Sequence, residues 1–217
     1  MTRTIAIDGS AGSGKSTTAR MVARELGYTY LDTGAMYRAS ALLASQENIP
    51  LNDGSTLASL LESHSMAIRD GRVLLDGEDL TEAIRRPGVA EMASLVSARP
   101  EVRRVMVGLQ REVAGGGEVV AEGRDMGTVV FPDAVLKVYM YADVAVRAMR
   151  RLTQGEHEGS DLRLVVRSLL RRDRRDRTRA DSPLRAAPDS LWVDTSSMTV
   201  RRQVDVVLEE YSRRVVS

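Results

Sequence analysis

Nine residues near the start of the chain have the types and spacing of a phosphate-binding loop, GxxxxGKS/T. They read GSAGSGKST and comprise Gly9, Ser10, Ala11, Gly12, Ser13, Gly14, Lys15, Ser16 and Thr17. The glycines would let consecutive backbone N–H groups turn toward phosphate oxygens at the start of the following helix. In a solvated loop, Lys15 would reach the β and γ phosphates and the Ser16 hydroxyl would coordinate Mg2+. The motif therefore predicts that the chain binds ATP or GTP.

The pattern of apolar residues around this loop indicates an α/β protein. Helical periods alternate with short β-branched runs, which predicts a parallel sheet covered by helices. The predicted strands are 4–7, 28–31, 118–121, 135–141 and 191–193. The predicted helices are 17–26, 36–45, 101–114, 144–152, 162–178 and 200–215.

The alternation is interrupted between residues 46 and 100. There, Asp70-Gly71-Arg72 predicts a hairpin turn between strands 66–69 and 73–76, and short helices are predicted at 81–85 and 89–98. We interpret this region as an insertion. Later in the chain, Gly155 and Gly159 bracket a polar stretch, 153–161, that would form either a small lid or an ordinary surface loop.

The composition excludes several classes of function. The net charge is +1, and one Phe, one Trp and six Tyr give no aromatic platform for nucleic acid. The absence of cysteine excludes disulfides and thiolate chemistry. Since neither a leader nor an apolar membrane span is recognisable, we expect a cytoplasmic monomer that binds neither membranes nor nucleic acids.

Polar side chains follow the second and third predicted strands of the sheet. Ligands bind beyond the carboxyl ends of strands in open parallel sheets, so these residues are candidates for a second substrate site. After the second strand, Thr33 could cap the next helix and Arg38 could grip an anion, unless it is simply solvated. After the third strand, Arg124 and Asp125 could bind substrate or form a structural ion pair.

A third polar cluster is the arginine-rich run 171–181. On a helix, Arg172, Asp176 and Arg179 would share one face, because they are spaced i, i+4 and i+7. The other arginines would be solvated or paired with the remaining acids, namely Arg174, Arg175 and Arg177 with Asp173 and Asp181. An RNA-binding arm is the competing interpretation, and the interleaved acids argue against it.

Five segments together resemble the bacterial cytidylate kinases, a branch of the nucleoside monophosphate kinase family of P-loop kinases. They are GSAGSGKST, LDTGAMYR, LDGEDLTEAIR, EGRDMGTVVFPDA and RDRRDRTRADSPL, and the similarity extends over nearly the full length. The resemblance implies a three-layer P-loop NTPase fold with a five-stranded parallel sheet. It also implies a core of residues 1–33 and 101–217, a monophosphate-binding insert at 34–100 and a lid at 153–161.

The resemblance implies a reaction as well. Family members transfer the γ-phosphoryl group of ATP in line to CMP or dCMP with Mg2+, giving ADP and CDP or dCDP, in pyrimidine nucleotide metabolism. The competing hypotheses are a P-loop kinase for another small acceptor, such as shikimate, and a nucleotide-dependent switch or RNA-binding module. The two histidines, His64 and His157, are assigned no catalytic role.

The resemblance also assigns roles to individual positions. Residues 9–17 would bind ATP, Lys15, Arg124 and Arg179 would be catalytic, and Ser16 would bind the metal. The CMP site would comprise Thr33, Arg38, Arg124 and Arg179 at the phosphate, Arg172 and Asp176 near the ribose, and Ser94, Arg103 and Asp125 at the base. A carboxylate and a guanidinium complement the N4 amino group and N3 of cytosine, which uracil reverses.

Overall fold

The computed structural model describes residues 3–69, 71–153 and 161–216. Its strands are β1 (Thr4–Gly9), β2 (Thr29–Asp32), β3 (Met66–Arg69), β4 (Arg72–Leu75), β5 (Glu78–Asp79), β6 (Val119–Gly123), β7 (Leu136–Tyr141) and β8 (Leu191–Asp194). Its helices are α1 (Lys15–Leu26), α2 (Thr33–Gln46), α3 (Gly54–Glu62), α4 (Val89–Val96), α5 (Pro100–Ala114), α6 (Val144–Thr153), α7 (Leu162–Thr178) and α8 (Val200–Val216). A 3-10 turn (Ala83–Arg85) and a π-helical turn (Met126–Val130) complete the elements.

Strand β1, which leads into the phosphate-loop motif, is the central strand of a five-stranded sheet. The strand order is β2-β6-β1-β7-β8, and β1 pairs in parallel with both β6 and β7. Every residue of β1 is buried. Its isoleucines belong to a hydrophobic core that also contains buried residues of α1 and α8. All five sheet strands predicted from the sequence are therefore present, and the three-layer P-loop NTPase fold is confirmed.

The chain divides into two units, and this sheet belongs to the first, which comprises residues 1–30, 117–178 and 182–217. The second unit comprises residues 31–116 and 179–181. It contains the antiparallel sheet β3-β4-β5 and helices α2 to α5. The predicted insert lies within this unit, which also includes α5, because α5 packs against α3 and β3.

Two features of the second unit were not predicted from the sequence. Helix α3 begins where Asp53 accepts a hydrogen bond from the Thr56 amide at 3.1 Å, and it buries Leu57 and Leu61 one turn apart. Strand β5 adds a third strand to the predicted hairpin. The hairpin itself is confirmed as β3 and β4. Asp70 of its turn lies outside the described residues, as does most of the predicted lid, 154–160.

We predict that Gly9→Ala lowers the free energy of unfolding by about 1 to 3 kcal/mol, the usual cost of overpacking. A Cβ at Gly9 would overlap the main-chain carbonyl oxygen of Met140 in the neighbouring strand, which cannot move without breaking the sheet. Gly108→Ala is the matched control, because a Cβ there meets nothing within 4 Å on an exposed part of α5. The control should gain up to about 1 kcal/mol from helix propensity. Urea unfolding measures both, and an unaltered Gly9→Ala would contradict the packing argument.

Candidate functional site

The phosphate-loop motif joins β1 to α1 in the first unit. Gly12 and Gly14 have φ angles of +76° and +91°, a left-handed conformation that side chains disfavour. Gly14 occupies the N-cap of α1, so the helix begins at Lys15 rather than at the predicted residue 17. The Ser13 hydroxyl is buried and has no hydrogen-bond partner in the described part of the chain. The loop thus places a helix N-terminus and a spare hydroxyl donor where an anion can bind.

Lys15 is buried, which corrects the expectation of a solvated loop lysine. Its side chain is 9% exposed, and Nζ lies 3.5 Å from Oε2 of Glu122 at the end of β6. Burial, reinforced by the charges of Arg124, Arg172 and Arg151 and opposed by Glu122, lowers the pKa of Lys15 to about 8. The ammonium is therefore still charged at neutral pH, within a field that is mostly positive.

Glu122 is the carboxylate that offsets this charge. The Tyr30 hydroxyl donates to its Oε1 at 2.9 Å, and the Ser16 hydroxyl donates to the same carboxylate. Burial alone would raise the pKa of Glu122, but Lys15 and the two hydroxyls outweigh it and hold that pKa below its usual value. Glu122 is consequently ionised, and it connects the lysine to the proposed metal ligand.

Asp8 is a second buried carboxylate, located at the end of β1. Its two oxygens accept hydrogen bonds from the amides of Met126 and Gly127, both at 2.8 Å. Burial raises the pKa of Asp8 to about 7, against the lowering effect of the two amides. Asp8 therefore holds the π-helical turn that directly follows Arg124 and Asp125.

Arg124 pairs with a carboxylate far along the chain. Its Nε donates to Oδ2 of Asp176 on α7 at 2.8 Å, and both side chains are largely buried. Arg124 is thus held by a carboxylate 52 positions away, and an ion pair with Asp125 stays a prediction. Arg172, one turn before Asp176, is half-buried and close enough to Lys15 for its charge to lower the pKa of that lysine.

The predicted helical face of Arg172, Asp176 and Arg179 is wrong for Arg179. Helix α7 ends at Thr178, and the main-chain oxygen of Asp176 accepts from the Leu184 amide at 2.7 Å instead of continuing the helix. Ser182, with φ +49°, precedes Pro183 in this reversal of the chain. Arg179 therefore lies beyond the helix and groups with the second unit.

Asp173 differs from the expectation as well. It is buried, and its Oδ2 accepts from Nη2 of Arg147 on α6 at 2.8 Å, rather than pairing with the neighbouring arginines of its own run. It follows Val165 and Leu169 at intervals of four residues, and all three are buried on the inward face of α7.

In the second unit, Asp32 rather than Thr33 caps α2. Its Oδ1 accepts from the Ala35 amide at 2.8 Å, and its Oδ2 accepts from Nη2 of Arg38 at 3.1 Å. Thr33 becomes the first, buried residue of the helix. Arg38 is therefore held by a carboxylate in a fixed position and is not simply a solvated side chain.

The same unit brings Ser94 and Arg103 into one hydrogen-bonded group. Arg103 is 2% exposed, its Nη1 donates to the Ser97 carbonyl at 3.3 Å, and its guanidinium lies 5.7 Å from the Tyr37 ring centre. The Ser97 hydroxyl in turn donates to the Ser94 carbonyl at 3.1 Å. Burying a guanidinium costs desolvation free energy, and its position over an aromatic ring fixes its orientation. Such a group is suited to hydrogen bonding with a flat ligand.

Asp8, Asp32 and Glu122 are residues of the site that the sequence analysis did not assign. Each is an acid at the carboxyl end of a strand, β1, β2 or β6. Ligands bind beyond the carboxyl ends of the strands in a parallel sheet, so this position could have indicated a functional role. The predicted strand 118–121 ended before Glu122, however. The partners of the three carboxylates are set by tertiary contacts, which neighbouring residues in the sequence do not indicate.

Comparison with known proteins identifies the family. The family model described as cytidylate kinase matches residues 5–213. The chain belongs to the cytidylate kinase family. Two curated members are a cytidylate kinase of Carboxydothermus hydrogenoformans, 44% identical over 216 residues and covering 97% of each chain, and one of Pelotomaculum thermopropionicum, 46% identical over 215 residues and covering 96% and 95%. The chain is thus an enzyme of this nucleotide kinase family.

Solved structures add a likeness of fold. An uncharacterized protein from Eubacterium ventriosum superposes with a TM-score of 0.56 at 12% identity, covering 97% of this chain and 98% of its own. In the described part of this chain, no helix combines the length and apolar character that crossing a bilayer requires.

We predict that Lys15→Met abolishes phosphoryl transfer and also lowers the free energy of unfolding by about 3 kcal/mol, because it strands the buried Glu122 carboxylate. Adding Glu122→Gln to this variant should recover most of the stability and none of the activity. Urea unfolding and product release measure the two effects. If Lys15→Met were as stable as the wild type, the buried Glu122 carboxylate would not need Lys15 as its compensating charge.

We predict that Asp8 makes the enzyme less stable as the pH rises. Its pKa is about 7 in the native state against an ordinary 3.8, so between these values the native state holds a proton that the unfolded state has lost. The free energy of unfolding therefore falls from about pH 4 to about pH 7, and Asp8→Asn removes this component. Urea unfolding across that range compares the wild type with Asp8→Asn and with Asp133→Asn, an exposed control. If the free energy of unfolding changed equally with pH in the wild type and in Asp8→Asn, the assignment of this pH dependence to Asp8 would be refuted.

Proposed function

We propose that this enzyme transfers the γ-phosphoryl group of ATP to CMP or dCMP, giving ADP and CDP or dCDP. The observation that supports the proposal is the buried Lys15 of the phosphate-loop motif, whose pKa is lowered to about 8 first by burial and then by the charges of Arg124, Arg172 and Arg151, against the opposing effect of Glu122. Such crowding of like charges is relieved when polyanions bind. Two phosphorylated nucleotides supply that charge, and the family relationship supports CMP as the acceptor.

In the first unit, we propose that residues 9–17 bind the phosphates of ATP. Loop amides and the Lys15 ammonium would hold the β and γ phosphates, and Arg124 would neutralise charge on the transferring group. The transition state of phosphoryl transfer is loose and its charge lies on the equatorial oxygens, so positioned cations supply most of the catalysis. The acceptor phosphate is already anionic at neutral pH, and no general base is required.

The residues around Ser16 fit a magnesium ion that arrives with the nucleotide. The Ser16 hydroxyl and the Glu122 carboxylate are hydrogen-bonded to each other, and both are the hard oxygen donors that Mg2+ prefers. We propose that Ser16 binds the ion and that Glu122 orients Ser16. When bound, Mg2+ would neutralise charge on the β and γ phosphates.

For CMP, we propose the residues that the family resemblance assigns. They are Thr33, Arg38, Arg124 and Arg179 at the phosphate, Arg172 and Asp176 near the ribose, and Ser94, Arg103 and Asp125 at the base. The buried Arg103 guanidinium would donate to N3 of cytosine, and the Asp125 carboxylate would accept from the N4 amino group. Uracil presents the opposite pattern and would leave both side chains facing like partners.

A screen of acceptors tests the function. The wild-type enzyme with ATP and Mg2+ is offered CMP, dCMP, UMP, AMP, GMP and shikimate, and ADP release is measured. We expect CMP and dCMP to give the fastest turnover. Comparable turnover with UMP at saturation would remove the claim of cytosine selectivity, and turnover with shikimate alone would replace the proposed acceptor.

We predict that Arg103→Met lowers the ratio of kcat/KM for CMP over UMP by at least about tenfold, since a site built on hydrogen bonds discriminates through the groups it leaves unpaired. Arg104→Met is the matched control, because Arg104 is exposed on the same helix. Thermal unfolding is measured for both variants to separate folding from recognition. An unchanged ratio in a folded Arg103→Met enzyme would assign base selection to other residues.

A further inference from the structure

The outer side of the phosphate loop is fastened by side chains from elements far along the chain. Three consecutive loop carbonyls each accept a hydrogen bond from a different side chain. The pairs are Arg147 Nη1 with Ala11 O at 3.1 Å, Arg150 Nη1 with Gly12 O at 3.3 Å, and Thr195 Oγ1 with Ser13 O at 2.7 Å. The two arginines belong to α6, and Thr195 directly follows β8.

Peptide planarity gives these contacts a consequence on the inner side of the loop. A carbonyl and the N–H of the next residue belong to one rigid plane and point in opposite directions. A donor that fixes the Ser13 carbonyl outward therefore fixes the Gly14 N–H inward, and Arg147 does the same for the Gly12 N–H through Ala11. Glycine permits several orientations of these planes, so the glycines alone do not select the one that binds phosphate.

Thr195 is the best-defined of the three anchors. It is fully buried, and its amide already donates to the Tyr141 carbonyl at 2.8 Å. Its hydroxyl also lies 3.2 Å from that carbonyl, but the contact of its single proton with the Ser13 oxygen is shorter, at 2.7 Å. Arg150 donates to the Thr195 hydroxyl at 3.1 Å and to the Thr195 carbonyl at 2.6 Å, which orients the proton toward Ser13.

The arginine anchors are themselves held in place. Nη2 of Arg147 donates to the buried Asp173 carboxylate at 2.8 Å, and its Nε donates to the Ala142 carbonyl at 3.0 Å. With its guanidinium committed to the protein on three sides, Arg147 supports the loop rather than reaching for a ligand. The buried Asp173 thereby gains a role that the ligand sites leave unassigned.

We propose that Thr195 is a positioning residue for the donor nucleotide. It acts through the Ser13–Gly14 peptide, orienting the Gly14 N–H toward the phosphates, with Arg150 as its support. The inference rests on the proposed binding of ATP to the phosphate loop. It adds a residue 182 positions away from the one it controls, outside every motif recognised in the sequence.

The test compares Thr195→Val, which keeps the shape and removes the hydroxyl, with Thr195→Ser, which keeps the hydroxyl. Calorimetric titration with ATP and with inorganic pyrophosphate measures the phosphate site directly. We expect Thr195→Val to weaken both by about tenfold, the effect of one lost buried hydrogen bond. Thr195→Ser should remain within about twofold of the wild type, and KM for CMP should change little in either variant.

Ser196→Ala is the matched control, because the Ser196 hydroxyl donates to Asp194 Oδ1 and accepts from the Asp143 amide, and within the described residues neither contact involves the phosphate loop. Wild-type affinity for ATP and pyrophosphate in Thr195→Val would overturn the inference and leave the proposed function intact. An equal loss of affinity for ATP and for CMP, together with a lowered Tm, would also overturn the inference, because it would indicate a general structural role. If Thr195→Val does not fold, Arg150→Met is measured in the same way and must weaken pyrophosphate. A wild-type enzyme that binds no ATP would overturn both proposals.

Discussion

The buried ion pair between Lys15 and Glu122 is the interaction on which the rest of the first unit depends. A lysine in a nearly water-free position needs a compensating charge, and Glu122 supplies one carboxylate at 3.5 Å. Arg124, Arg172 and Arg151 add positive charge that this carboxylate cannot balance alone. Asp176 takes up part of it by binding Arg124. Cations and carboxylates are thus concentrated around Lys15, and a bound phosphate group would add further negative charge to this cluster.

Two buried acids at the ends of adjacent strands illustrate how partners decide the behaviour of a carboxylate. Asp8 and Glu122 occupy paired strands and are equally inaccessible to water. Glu122 faces a cation and two hydroxyls and stays ionised, whereas Asp8 faces two amides and its pKa rises to about 7. The first carboxylate fixes a side chain that contacts phosphate in the proposed reaction, and the second fixes the backbone of the turn after Arg124 and Asp125. Although the two acids are buried to the same extent, Glu122 balances the charge of Lys15, whereas Asp8 fixes the backbone of the turn.

Local sequence was sufficient for the sheet, the loop motif and most helices, because β-branched runs, glycine spacing and helical periods are written in neighbouring residues. It was insufficient wherever the partner of a charge lies far away in the chain. The Arg124–Asp176 and Arg147–Asp173 pairs join residues 52 and 26 positions apart, and no periodicity indicates them. The extension of the α7 pattern to Arg179 failed for a local reason, since the chain reverses at Ser182 and the Leu184 amide takes the helical carbonyl of Asp176. The roles of all nine residues assigned to CMP remain predictions.

The anchoring of the phosphate loop from α6 and β8 has a consequence for biosynthesis. Residues 9–17 leave the ribosome before the groups that hold their carbonyls, which follow only after more than a hundred further residues. During translation the glycine-rich segment at first lacks these hydrogen bonds, so its backbone amides are not yet oriented to bind a nucleotide. Formation of the loop is thereby tied to the synthesis of α6 and β8, and ligand binding must wait until both have been made.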